Sequence, residues 1–214
     1  MNWHNAMLNR DEYLENPCGR SSVPYWKAVS IAVPAHMKIV HEAEFDERLL
    51  LEYVDEPYFR LKHELKKVQT PALPKGFALC DPSVSDWARQ ISACYPGLQL
   101  AGRDVEAWKS RRVYRAELWL AIADVLTGEI AASGIAELDA DTSEGALEWI
   151  QTTEKYRGCG LGRYIVNELL RRMQGRADFA TVSGQINNKT NPETLYRACG
   201  FTGSDRWHVL TRRV

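Results

Sequence analysis

The sequence predicts a mixed α/β fold, and three observations predict it. Extended apolar runs alternate with runs of helical spacing through most of the chain. Two of the extended runs flank a Thr127-Gly128 turn, which reads as a hairpin. A segment with three alternating glycines, Arg157-Gly158-Cys159-Gly160-Leu161-Gly162-Arg163, sits between an extended run and an amphipathic helix. With 214 residues the chain can bury one well-formed core, or one domain with an appendage. At 45% hydrophobic and 26% charged, it is neither disordered in composition nor membrane-like.

Taken in order, residues 1–45 read as irregular, with Pro17, Pro24 and Pro34 spaced through them. This leader holds Trp3, Tyr13, Tyr25 and Trp26, too many aromatics for a disordered tail, so it is expected to pack onto the main domain. From Asp46 to Val68 the spacing of Leu49, Leu50, Tyr53, Leu61, Leu65 and Val68 predicts a helix, broken near Pro57. Two prolines and a glycine in Thr70–Gly76 mark a boundary, giving an extension over 1–75 and a domain over 76–214. Phe77–Cys80 is a short strand. Asp81-Pro82-Ser83 opens a helix that runs to Tyr95 and stops at Pro96-Gly97. A second helix spans Arg103 to Lys109, and the hairpin joins Leu118–Ala123 to Ile130–Leu138. A strand follows at Ala146–Thr152. After the glycine segment, Leu161, Ile165, Leu169 and Met173 share one helical face. Phe179–Val182 is the next strand, Asn191-Pro192 caps a short helix ending at Cys199-Gly200, and Trp207–Thr211 is the last strand.

The polar start Met1-Asn2-Trp3-His4-Asn5 lacks a signal-peptide core and no apolar run reaches membrane-helix length, so a cytoplasmic protein is expected. Five scattered cysteines (Cys18, Cys80, Cys94, Cys159, Cys199) with no CxxC pair fit reduced thiols. His4, His36, His41, His63 and His208 show no ligand spacing, so no metal site is expected. The net charge of −1 hides an asymmetry: residues 155–214 carry 11 Lys and Arg against 4 Asp and Glu. That basic third begins at the glycine segment, as an anion-binding site requires. The acidic remainder could favour a cationic substrate, but a solvated surface accounts for it without one. Nothing resembles a nucleic-acid footprint, which needs a basic patch on a basic domain.

A strand, a glycine loop and a helix N-terminus make a phosphate cradle, because glycines let backbone N–H groups approach an anion and the helix dipole favours negative charge. A P-loop needs Gly-Lys-Ser/Thr here, and Leu161-Gly162-Arg163-Tyr164 lacks it. A dinucleotide-binding βαβ unit needs its glycines directly after the strand, whereas Thr152 to Arg157 intervene.

A third pattern fits in several places. Arg157-Gly158-Cys159-Gly160-Leu161-Gly162 resembles the Arg/Gln-x-x-Gly-x-Gly/Ala signature of the GNAT superfamily of acetyl-CoA-dependent N-acyltransferases. Leu195-Tyr196-Arg197-Ala198-Cys199-Gly200-Phe201 is similar to the Leu-Tyr-x-x-x-Gly-Phe element that ends the last helix of that fold. One helix and one strand separate the two motifs, as in the family. The resemblance covers residues 76–214 and implies a GNAT-like fold: a central mixed, mostly antiparallel sheet, splayed at the cofactor site and flanked by helices.

The resemblance also implies chemistry. N–H groups of Gly158, Cys159, Gly160, Leu161, Gly162 and Arg163 bind the pyrophosphate of acetyl-CoA, with Arg157 adding charge or fixing the loop. Backbone groups of Ile150, Gln151 and Thr152 pair with the pantetheine arm and polarise the thioester carbonyl. Tyr196 stands where the family's general acid stands; a phenol near ~10 can protonate a thiolate whose acid lies near ~8.5 when position helps. Glu148 is the favoured base, its neighbours Leu147 and Trp149 expected on the opposite face, with Glu137 and Glu144 as competitors. Asn187, Asn188 and Asn191 follow the strand after which the family places a cofactor-touching asparagine, and Asn191 alternatively caps a helix. The implied activity is acetyl transfer to a primary amine on a small molecule or peptide, with no metal, nucleic acid or membrane, and a homodimer as the assembly to test. The acceptor region corresponds to Ala88–Arg112 and Gly203–His208, with Trp108, Asp205, Trp207 and His208 as lining candidates. A non-catalytic CoA-binding regulatory module is the alternative.

Overall fold

The structure, a computed structural model, describes residues 8–95 and 97–213; the polar start Met1–Asn5, with Trp3 and His4, and Pro96 of the sequence reading lie outside them. In chain order the elements are α1 (Arg10–Glu15), α2 (Pro17–Arg20), α3 (Tyr25–Ala28), β1 (Met37–His41), β2 (Tyr53–His63), β3 (Phe77–Cys80), α4 (Val84–Cys94) and α5 (Gly102–Trp108). They continue with β4 (Trp119–Asp124), β5 (Ile130–Asp139), β6 (Glu144–Thr152), α6 (Leu161–Met173), β7 (Phe179–Gln185), α7 (Pro192–Ala198) and β8 (Thr202–Arg212). The fold is mixed α/β on a mostly antiparallel sheet flanked by helices, as expected. Its residues divide into two compact units, residues 1–63 with 181–214, and residues 64–180. Thr70–Gly76, read as a boundary, lies inside the second.

In the first unit the strand order is β1-β8-β2, followed by the Thr181–Gln185 stretch of β7. β8 pairs antiparallel with β1 from Met37↔Thr211 to His41↔Trp207, and with β2 from Tyr53↔Arg212 to Lys62↔Thr202. The predicted helix over Asp46–Val68 is therefore corrected. Only Glu47–Leu51 turns, as a 3-10 segment capped by Asp46, and Tyr53–His63 is extended. Pro57 explains the outcome. In a helix interior its ring would strike the preceding turn, whereas here it lacks only a ladder donor and its carbonyl still accepts from Ile186 N–H at 2.9 Å. Residues 8–45 are likewise more regular than predicted, holding α1 to α3 and β1.

Arg60 ties this unit together. It is 1% exposed. Its guanidinium donates to Tyr13 Oη at 3.0 Å, Thr181 Oγ1 at 3.2 Å, Ser183 Oγ at 3.0 Å and Ser22 O at 3.4 Å. Trp207 adds a second tie, donating Nε1–H to Cys18 O at 2.8 Å. Arg60→Ala leaves several buried acceptors without their donor, and we expect it to lower unfolding free energy by about 3 kcal/mol, read from urea melts. An unchanged midpoint would contradict this role for Arg60.

In the second unit the order is β6-β5-β4-β3, with every pairing antiparallel. Alternation along β5 separates the two faces. Gly134 faces α6, where an added Cβ would lie 2.3 Å from Ile165 Cγ2. Next along the strand, Ile135 packs with Trp87, Ala88 and Ile91 of α4 and Val105 of α5. Leu161, Ile165, Leu169 and Met173 are all buried, the predicted face of α6. Ser83 caps α4, accepting from Asp86 N–H at 3.2 Å.

Candidate functional site

The site is built at the end of β6. Register along β5 and β6 runs Ala136↔Leu147 and then Gly134↔Ile150, so Ile135 faces two residues, Glu148 and Trp149. That is a β-bulge, and it reverses the side-chain phase of the strand. An added Cβ at Gly145 would meet Met173 of α6 and one at Gly134 would meet Ile150, so positions 145 and 150 share the α6 face despite odd spacing. Trp149 points the other way. It stacks on Trp108 with centroids 5.4 Å apart and rings 1° from parallel, and meets Tyr95 edge-on at 5.3 Å. Glu148 also acts electrostatically on Tyr95. The expectation that Trp149 would point away from Glu148 is thus corrected: the bulge places both on the α4 and α5 side.

The same register sorts the main-chain groups. Thr153 N–H donates to Ala131 O at 2.9 Å, so by antiparallel alternation Gln151 also bonds to β5. The N–H and C=O of Ile150 and Thr152 turn to the other side of the strand. Gln151 departs from the expectation for it, since its main chain serves the ladder and its buried side chain donates to Ser133 Oγ. Ile150 O accepts from Tyr95 Oη–H at 3.2 Å. Burial, then Cys94 and Glu148, pushes the Tyr95 phenol well above its ordinary range, so it stays a donor.

The competing carboxylates sit elsewhere. Glu137 is buried and takes Arg111 Nη1–H at 2.9 Å, and Glu144 is buried at the first position of β6. Glu148 is half-buried at the bulge.

From β6 the chain makes a 3-10 turn, Glu154–Tyr156, before the glycine loop. Tyr156 anchors that turn. Its ring meets Phe77 edge-on at 5.8 Å and its hydroxyl donates to Glu129 Oε2 at 3.0 Å. Gly158 and Gly160 both take φ of +81°, and Gly160 is the N-cap of α6. Added Cβ atoms would meet nothing within 4 Å at Gly158 and only Pro74 at 3.8 Å at Gly160, so space beside the loop is open. No side chain caps α6. Among the described residues no acceptor takes the N–H groups of Gly158, Cys159, Gly160, Leu161, Gly162 or Arg163. Arg157 makes an exposed pairing with Glu154 at 3.7 Å, easily exchanged for an anion, while Arg163 bonds to Gln69 Oε1 at 2.9 Å. These groups suit a bound pyrophosphate: open, cationic and rich in unused donors.

A cavity of about 670 Å³ beside this loop, lined by Asp86, Arg89, Glu129 and Lys155 among others, suits that role less well. Both of its cations are already paired, Arg89 with Asp86 and Lys155 with Glu129, and Asp81 adds a further negative charge.

Tyr196 and Asn191 belong to the first unit. Tyr196 is buried in α7, with Phe59 at 6.0 Å and Phe201 at 5.7 Å between centroids. Asn191 precedes α7 in a left-handed conformation, φ +46°, and its side chain makes no capping bond, contrary to the capping alternative. Asn188 instead closes that turn, accepting from Thr190 N–H at 2.9 Å. The acceptor-lining candidates of this unit are occupied by the leader. Trp207 bonds to Cys18 O, Asp205 pairs with His41 at 3.2 Å, and His208 lies between Asp55 at 2.8 Å and Glu42 at 3.0 Å. Among the described residues no cluster could hold a metal ion, and no helix is long and apolar enough to cross a membrane.

Residues 114–203 match the profile of the acetyltransferase (GNAT) domain. Over that span the chain resembles a GNAT acetyltransferase domain. The match takes in the bulged strand, the glycine loop and Tyr196. Among solved structures, a GCN5-related N-acetyltransferase from Sphaerobacter thermophilus superposes with a TM-score of 0.67 at 18% identity, over 85% of this chain and 62% of that one. A tandem GNAT protein from the clavulanic acid biosynthesis pathway gives 0.60 at 15% identity, covering 82% and 62%. A GCN5-related N-acetyltransferase from Kribbella flavida gives 0.56 at 14%, covering 83% and 68%. The chain thus spans under two thirds of the first two structures' length. No curated protein matches it. The sequence reading missed Tyr95 and Tyr156. Each is an aromatic at the end of a helix or turn, and only its distant partners, Ile150 and Glu129, mark it out.

Proposed function

We propose that the protein is an acetyl-CoA-dependent N-acetyltransferase that passes acetyl to a primary amine of a small molecule or peptide by direct attack on the thioester. The observation that carries this reading is the segment Gly158–Arg163, the end of the glycine loop and the first turn of α6, whose six N–H donors lack acceptors among the described residues. In this reading those donors and Arg157 hold the pyrophosphate, and Asn191 adds a contact to the cofactor. Ile150 and Thr152 offer main-chain groups to the pantetheine arm and the thioester carbonyl, with Gln151 holding the strand to β5. Donors aimed at the developing oxyanion stabilise the transition state most.

Glu148 takes a proton from the acceptor ammonium. The freed amine lone pair attacks the carbonyl carbon and the C–S bond breaks as Tyr196 gives its proton to the leaving thiolate; the second proton on the former amine nitrogen then passes to the Tyr196 phenolate, leaving the neutral amide and the phenol. The role of Tyr196 rests on the Leu195–Phe201 resemblance. The test is thiol release from acetyl-CoA across a panel of amines. Tyr196→Phe is expected to lower kcat about 100-fold with CoA affinity retained, and Glu148→Gln to abolish the acidic limb of the kcat/KM profile. Full turnover in Tyr196→Phe, or an unchanged profile in Glu148→Gln, removes that residue from its role. Tight CoA binding with no thiol release on any amine replaces the enzyme by a CoA-binding module.

A further inference from the structure

We propose that Tyr95 is a positioning residue for the acyl transfer, its hydroxyl holding the bulged part of β6 so that Ile150 N–H meets the thioester carbonyl oxygen. The inference rests on the acetyltransferase reading above. A bulge interrupts the ladder, so at Glu148 and Trp149 the pairing with β5 does not by itself set the tilt of the peptide planes. Something else must hold them. The Tyr95 hydroxyl donates to Ile150 O at 3.2 Å, one residue beyond the bulge. In an extended residue N–H and C=O point to the same side of the strand. A bond that holds the Ile150 carbonyl therefore also sets where the Ile150 N–H points.

Tyr95 is itself held. It ends α4, its backbone N–H donating to Ile91 O at 3.2 Å. Its ring abuts the edge of Trp149, which stacks on Trp108 of α5. Two helices thus fix the phenol, and the phenol fixes one peptide plane of β6. Burial keeps the hydroxyl protonated, so the restraint persists over the working pH range.

Tyr95→Phe keeps the ring and its contact with Trp149 but removes the donor. The test combines kinetics with isotope-edited infrared spectra of acetyl-CoA labelled with carbon-13 at the thioester carbonyl, whose stretch reports polarisation. The expected result is a kcat about tenfold lower, unchanged KM for acetyl-CoA, a melting temperature close to that of the unaltered protein, and a carbonyl band moved back towards its solution position. Replacing Tyr95 by 3-fluorotyrosine, a stronger donor of the same shape, should move the band the opposite way. A shifted band in the unaltered protein that neither substitution alters would overturn this inference alone. A band at the solution position in the unaltered protein would overturn the acetyltransferase reading and this inference with it.

Discussion

Replacing Gly158 and Gly160 together by alanine is expected to weaken CoA binding at least ~100-fold, a loss of about 2.7 kcal/mol, while the protein stays folded. Both residues hold φ of +81°, where an alanine costs about 1–2 kcal/mol each. The loop is exposed, and an added Cβ meets no protein atom within 4 Å at Gly158 and only Pro74 at Gly160. The folded state therefore suffers backbone strain but no clash, and the melting temperature should fall by about 10 °C. Binding suffers far more. The new methyl groups project into the open space beside the six unused N–H donors, where a pyrophosphate must come to about 3 Å. Relief of the strain also turns those donors away. Titration calorimetry with CoA, run beside circular-dichroism melts, separates the two effects. Wild-type affinity in a folded double variant would mean that the anion binds elsewhere.

Deleting residues 1–63 should unfold the first unit altogether. β8 has two neighbours, β1 and β2, and both come from the deleted segment. The truncation also removes Arg60 with its ties to Thr181 and Ser183, and Cys18, which accepts from Trp207. An eleven-residue strand stripped of both partners exposes its backbone groups and its apolar side chains, Trp207 and Leu210 among them. The expected product is insoluble, or soluble with fast amide exchange throughout residues 181–213. The GNAT profile begins only at residue 114 and leaves the leader outside the match. A truncated chain that melts cooperatively and retains thiol release would therefore show that the leader is dispensable to the first unit.

The elements legible in the sequence follow from local rules. Ser83 before an amphipathic run caps α4, Thr127-Gly128 turns the β4–β5 hairpin, and the spacing of Leu161, Ile165, Leu169 and Met173 buries one face of α6. Each needs only residues within a few positions of one another. Where the sequence misleads, the deciding partner lies far along the chain. Tyr53, Leu61 and Leu65 suit a helix by spacing, yet β2 is a strand because β8 pairs with it from Tyr53↔Arg212 onward. The bulge in β6, two residues opposite the single Ile135, leaves no local mark, so the alternation that assigned faces to Glu148 and Trp149 broke without warning.

The sequence by itself determined the features of the proposed anion cradle: glycines that can take positive φ, a helix start with no capping side chain, and a basic segment around them are all local chemistry. Only the tertiary structure decided which main-chain groups stand beside that cradle and what holds them. The bulge in β6, the turn of Ile150 and Thr152 away from β5, and the Tyr95 hydroxyl on Ile150 O depend on register between strands and on a helix end brought in from 55 residues away. Hydrogen-bond pairing between distant segments has no periodicity of its own in sequence, and so it becomes visible only when the chain has folded.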